Sequence, residues 1–100
     1  MTAPFRLVYS ETCRKQIRDL PPQTKPVIKA RIEEIAGNPS GGKCLQRELS
    51  GYLSLRINRY RVIYRIREGE RVVEIHFVGR RRDVYELFGE HLGISVLGGD

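Results

Sequence analysis

Apolar residues recur every three to four positions between Ser10 and Ala36, and every second position from Tyr52 onward. The first spacing belongs to helices and the second to strands. Cys13, Ile17 and Leu20 fall at i, i+4 and i+7 behind Ser10, a favoured N-cap residue, and Pro21-Pro22 ends that run. Ile28, Ile32 and Ile35 make a second stripe, with Val27 and Ala36 alongside. This second helix starts near Pro22 or Thr24, tolerates Pro26 in its first turn, and stops at Gly37-Asn38-Pro39. Joined by a tight proline turn, the two read as an antiparallel helical hairpin. Before them, Phe5 to Tyr9 alternates and reads as a strand.

Ser40-Gly41-Gly42-Lys43 reads as a flexible loop, and Leu45 to Ser50 shows no clear period. After it, Leu53, Leu55 and Ile57 share one strand face while Tyr52, Ser54, Arg56 and Asn58 share the other. Beyond a bend at Asn58-Arg59, Tyr60, Val62, Tyr64 and Ile66 alternate with Arg61, Ile63, Arg65 and Arg67. Glu68-Gly69-Glu70 is a hairpin turn. A third strand follows over Val72 to Val78, with Val73, Ile75 and Phe77 on one face and His76 on the other. Asp83 is placed to cap a short closing helix through Val84, Leu87 and Phe88. The tail with Ile94, Val96 and Leu97 either frays or docks.

Strand, helical hairpin, three-stranded antiparallel meander and short C-terminal helix make an α+β domain. The expected arrangement is one domain over 1–100 with its core in about 5–88, the segment 89–100 being a tail. One sheet with helices on one face leaves the other face to Arg61, Arg65 and Arg67. Tyr60 and Tyr64 then belong to the core.

Charge sharpens this picture. Residues 56–82 hold nine arginines, no lysine and three acids, a net of +6; the remaining nine basic and nine acidic residues cancel. Guanidinium groups crowded on one folded surface point to phosphate, and nucleic acid is the first candidate partner. A membrane is a poor candidate, because no run approaches the roughly 20 apolar residues of a span. The start, Met1 to Arg6, lacks the apolar stretch of a signal peptide, so a cytoplasmic location is expected. Cys13 and Cys44 are too few and too far apart for a metal knuckle, and Cys13 reads as a buried free thiol.

Leu49-Ser50-Gly51, then Leu55-Arg56-Ile57, Tyr60-Arg61-Val62-Ile63-Tyr64, Val78-Gly79-Arg80-Arg81 and Asp83-Val84-Tyr85 together resemble the RelE/ParE toxin superfamily, and the helical hairpin ending in an Asn-Pro loop fits it. The resemblance covers roughly residues 5 to 88. It implies a toxin held silent by a RelB-like antitoxin in a hetero-oligomer. RelE-like members cut messenger RNA in the ribosomal A site by attack of the 2′-OH on the adjacent phosphorus, with no metal or other cofactor. ParE-like members share the fold and inhibit DNA gyrase. By resemblance, Arg61 stabilises the transition-state phosphate, Arg81 works near the leaving 5′ oxygen, and Tyr85 stacks on or orients the cleaved nucleotide, although Tyr85 also suits a core position. All three being filled favours the RelE-like reading. RNA contacts are expected from Arg56, Arg59, Arg65, Arg80, Arg82 and Lys43. One departure stands: RelE carries two lysines on the strand before Tyr-Arg, where this chain has Tyr52 and Ser54, which leaves Lys43 and Glu48 as candidates for the missing base.

Overall fold

The computed structural model describes residues 3–96. Its elements are β1 (Arg6–Tyr9), α1 (Glu11–Arg18), α2 (Thr24–Ile35), β2 (Lys43–Cys44), β3 (Leu53–Ile57), β4 (Tyr60–Arg67), β5 (Val72–Arg80) and α3 (Val84–Leu92). The α+β class and the order of elements are as expected. The sheet is larger than the meander: five strands in the order β1-β5-β4-β3-β2, with β1 parallel to β5 and the other pairs antiparallel.

The helical hairpin covers one face, as its stripes require. Cys13, Ile17, Ile28, Ile32 and Ile35 pack there on Leu53, Ile57, Val62, Tyr64, Val73, Ile75 and Val78. Val27, expected beside that stripe, stands 42% exposed. On the opposite face α3 forms a second core, with Val84, Tyr85 and Phe88 over Ile63, Phe77, Leu45 and Leu49. That face is therefore only partly open.

Phe77 does not share a face with Val73 and Ile75. The β4–β5 register slips between Ile63 and Tyr64: Ile63 pairs with Phe77 and Tyr64 with Ile75, so His76 is the extra residue of a β-bulge. The bulge turns Phe77 towards α3 and sends Val78 into the first core. It falls just where β1 ends, since Tyr9 pairs with Ile75. From there α1 completes the edge of β5. The Ser10 hydroxyl accepts from Cys13 N at 3.0 Å as the expected N-cap and donates to His76 O at 2.9 Å. Val78 N donates to Gln16 Oε1 at 2.8 Å.

The segment expected to be a flexible loop is tied down. The buried Tyr64 hydroxyl donates to Pro39 O at 2.7 Å and accepts from Gly42 N at 3.0 Å. A Cβ at position 42 would collide with that hydroxyl, so only glycine lets the chain pass. The anchored chain then pairs Lys43 with Ser54 and Cys44 with Leu53.

In α3 the buried residues are Val84, Tyr85, Phe88 and Gly89, while Leu87, expected inside, is 40% exposed. Asp83 occupies the N-cap position without a side-chain cap bond. The helix runs to Leu92, and beyond it Ile94 N bonds Gly89 O at 2.9 Å and Val96 packs on the second core. Leu97, named with the tail, lies outside the described residues.

Two measurements check this packing. Tyr64→Phe leaves the Gly42 N–H and Pro39 C=O without their partner, and should cost about 1–3 kcal/mol in urea unfolding; an unchanged midpoint would contradict the anchoring. Burial pushes the Cys13 thiol up to about 12, whereas Cys44 is exposed. Alkylation of the native protein at mildly alkaline pH should label Cys44 alone, with Cys13 reacting only on unfolding.

Candidate active site

Ser54 is the meeting point of the open face. It lies on β3 between Leu53 and Leu55, both turned to the first core, and its own side chain is 1% exposed. Arg61 Nη1 donates to Ser54 Oγ at 3.0 Å, and the Tyr85 hydroxyl lies 3.2 Å from the same oxygen. The Arg61 guanidinium carbon stands 5.9 Å from the Tyr85 ring centroid. Arg61 and Tyr85, expected from the sequence, are thus brought together by a residue that had figured only as a missing lysine. The Tyr85 ring belongs to the second core, and its hydroxyl reaches Ser54.

The strand register fixes what surrounds them. Arg56 pairs directly with Arg61, and Lys43 with Ser54. Cross-strand partners share a face, so Arg56 and Lys43 are on the same side as Arg61. Like charges placed directly opposite destabilise an antiparallel pair, and an anion between them reverses the sign. Arg61 also pairs with Gly79, where a Cβ would stand 2.9 Å from Val84 Cγ2. The missing side chain lets the start of α3 lie against the sheet, which brings Tyr85 within reach of Ser54.

Arg81 and Arg82 are exposed in the turn between β5 and α3. Arg81 N donates to Arg59 O at 2.8 Å, joining this turn to the β3–β4 turn, where Arg59 is exposed. Two other expected contacts lie elsewhere. Arg80 covers the Tyr60 ring at 5.2 Å, and Tyr60 packs on the first core, so Arg80 faces away from Arg61. Arg65 lies 5.7 Å from the Tyr52 ring, in a second polar group on the open face. There Arg67 Nε and His76 Nε2 each approach a Glu74 oxygen at 3.0 Å, and His76 meets Tyr52 edge-on at 5.3 Å. Burial alone would raise the Glu74 carboxyl, but its bonds to His76 and Arg67 outweigh that and hold it below the ordinary 4.5. The bulge explains why sequence periodicity missed this group: it sets His76, expected at the surface, half-buried beside Phe77.

Fold and site together define a small basic α+β protein with an arginine–serine–tyrosine group on one sheet face. Residues 7–85 match the family model described as the ParE toxin of type II toxin–antitoxin systems, so the chain belongs to that family, within the RelE/ParE superfamily. It is 34% identical to toxin RelG of Mycobacterium tuberculosis over 82% of this chain and 97% of the relative. It is 32% identical to toxin RelE of the same organism over 84% of this chain and 89% of the relative. Among solved structures, the M. tuberculosis RelBE2 toxin–antitoxin complex matches 78% of this chain and 99% of its own at 32% identity, TM-score 0.71. The isolated E. coli RelE toxin matches 88% and 98% at 20% identity, TM-score 0.66, a likeness of fold. Among the described residues, no helix is long and apolar enough to cross a membrane.

Glu74 gives a pH-dependent test. A depressed carboxyl contributes stability above its unfolded value and loses it as pH falls through the folded one. Glu74→Gln should therefore lower stability at neutral pH, and its difference from wild type should shrink below the ordinary 4.5. A difference constant with pH would show that Glu74 is not held by its two partners.

Proposed function

We propose that this toxin is a ribosome-dependent endoribonuclease that cuts messenger RNA in the A site and so stops translation. The observation that carries the reading is the Arg61–Ser54–Tyr85 group, set opposite Arg56 on the partly open sheet face. Attack of the 2′-oxygen forms an O–P bond and breaks the bond to the 5′ oxygen; the 2′-OH loses its proton and the 5′ oxygen gains one. Excess charge appears on the phosphoryl oxygens, where a preorganised guanidinium is most effective. Arg61 is held in place by one hydroxyl and keeps further donors for the phosphate. Arg56 and Lys43 add positive charge on the same face, and Arg81, Arg82 and Arg59 in the adjoining turns bind flanking phosphates or the leaving oxygen. Arg80 and Arg65, set apart from this group, serve ribosomal or messenger backbone. The Tyr85 hydroxyl lies where it can orient the cleaved nucleotide, although the buried ring is not free to stack broadly.

The partner proposed is a RelB-like antitoxin, which would cover the basic face in a hetero-oligomer in the cytoplasm. Complexes of similar toxins with antitoxins support this. A second reading, gyrase inhibition without nuclease activity, is favoured by the family model's ParE description and by Tyr52 and Ser54 on β3.

Expression in a bacterium with mapping of transcript 5′ ends separates the two. The nuclease reading expects growth arrest with cuts inside translated messages. Arg61→Ala should reduce cleavage by programmed ribosomes roughly 10²- to 10³-fold, and Arg81→Ala should reduce it in the same direction, both with folding intact. Arrest with intact transcripts, together with blocked gyrase supercoiling by purified protein, would establish the second reading instead.

A further inference from the structure

A cavity of about 220 Å³ lies on the side of the sheet away from Ser54, between the start of α2 and the β3–β4 turn. Val27, Ile28, Ile57 and Tyr60 are its apolar lining residues, and Gln23 and Asn58 are among the polar ones. An enclosed cavity of about 150 Å³ holds a benzene ring; this pocket is half open, with volume for a nucleobase that keeps one side in solvent. The cavity touches the active site through one residue. Arg59 lines it, and the Arg59 carbonyl receives Arg81 N at 2.8 Å. Arg80, directly before Arg81, turns to the cavity side and covers the Tyr60 ring. Arg59, Arg80 and Arg81 thus carry positive charge around the end of the sheet, from the Ser54 face to the cavity mouth.

We propose that this cavity is a second RNA subsite, which takes an unstacked base of the same messenger strand that is cut at Arg61. The inference rests on the nuclease reading above and adds a binding position to it. Charge selects the occupant: a pocket with apolar lining and two amide-bearing residues at its edge suits a base, and the arginine rim suits the phosphates joining that base to the cut nucleotide. Arg80, which faces away from the catalytic group, then has a defined task on the strand's path.

The experiment uses ribosomes programmed with a messenger that carries a 2′-deoxy sugar at the cut nucleotide, so that the toxin binds without cleaving. Photoreactive thiouridine is placed at each neighbouring position in turn. One position should cross-link to segment 23–28 or 57–60. Val27→Trp, at an exposed position lining the cavity, should weaken that cross-link and, on an all-ribose messenger that is cleaved, raise KM roughly 10- to 100-fold with kcat unchanged, while Gln23→Ala should act in the same direction. If the wild type cuts normally but the messenger cross-links to neither segment from any position, the subsite is overturned; so it is if both variants keep the wild-type KM. A wild type that cuts no programmed ribosome is instead a failure of the nuclease reading, and it removes the subsite with it.

Discussion

The extra residue His76 in β5 is the constraint on which both cores depend. A regular strand would turn Phe77 to the helical hairpin and leave α3 without an aromatic seat. The bulge puts Phe77 beside Ile63 on the α3 side and returns Val78 to the hairpin side. A bulge frees backbone groups at a place where β1 no longer pairs, and buried groups left unpaired are costly. The bonds from Ser10 and to Gln16 remove that cost. One short helix therefore starts the first core and also makes the irregular strand tolerable.

From the bulge the chain of dependence runs to the site. Phe77 and Ile63 seat Phe88, Gly79 admits Val84, and α3 then holds the Tyr85 hydroxyl at Ser54. Tyr64 acts from the other core: by fixing the chain at Pro39 and Gly42 it brings Lys43 alongside Ser54. Lys43, Arg56 and Arg61 are carried by neighbouring strands whose register keeps them on one face, so their like charges stay close. A phosphate bound between them, as proposed, would offset that repulsion.

The readable parts of the sequence were those governed by a regular period over several residues. The alternation of β3 and β4 placed Arg61, Arg65 and Arg67 on one face, and the stripes of α1 and α2 gave the hairpin. The unreadable parts depend on contacts between distant residues. A bulge changes the period by one residue, and Phe77 and Val78, both apolar, hide the change. The two-residue β2 has no period at all, since its pairing is decided by a hydroxyl 22 residues away from Gly42. In α3, Leu87 and Tyr85 compete for the inside; the Ser54 hydroxyl and the narrow gap over Gly79 favour Tyr85. Ser54 itself looked like a deficit, because one small polar residue on a strand announces neither its burial nor its two partners.

In the proposed reaction Arg61, held at Ser54 beside Tyr85, assists attack by a neighbouring 2′-OH. The chemistry of the newly made RNA ends tests it most directly. Products from programmed ribosomes, analysed by mass spectrometry, should carry a 2′,3′-cyclic phosphate on the upstream fragment and a free 5′-OH downstream. Fragments with 5′-phosphate ends, or unbroken messenger under conditions where the protein stops translation, would contradict it.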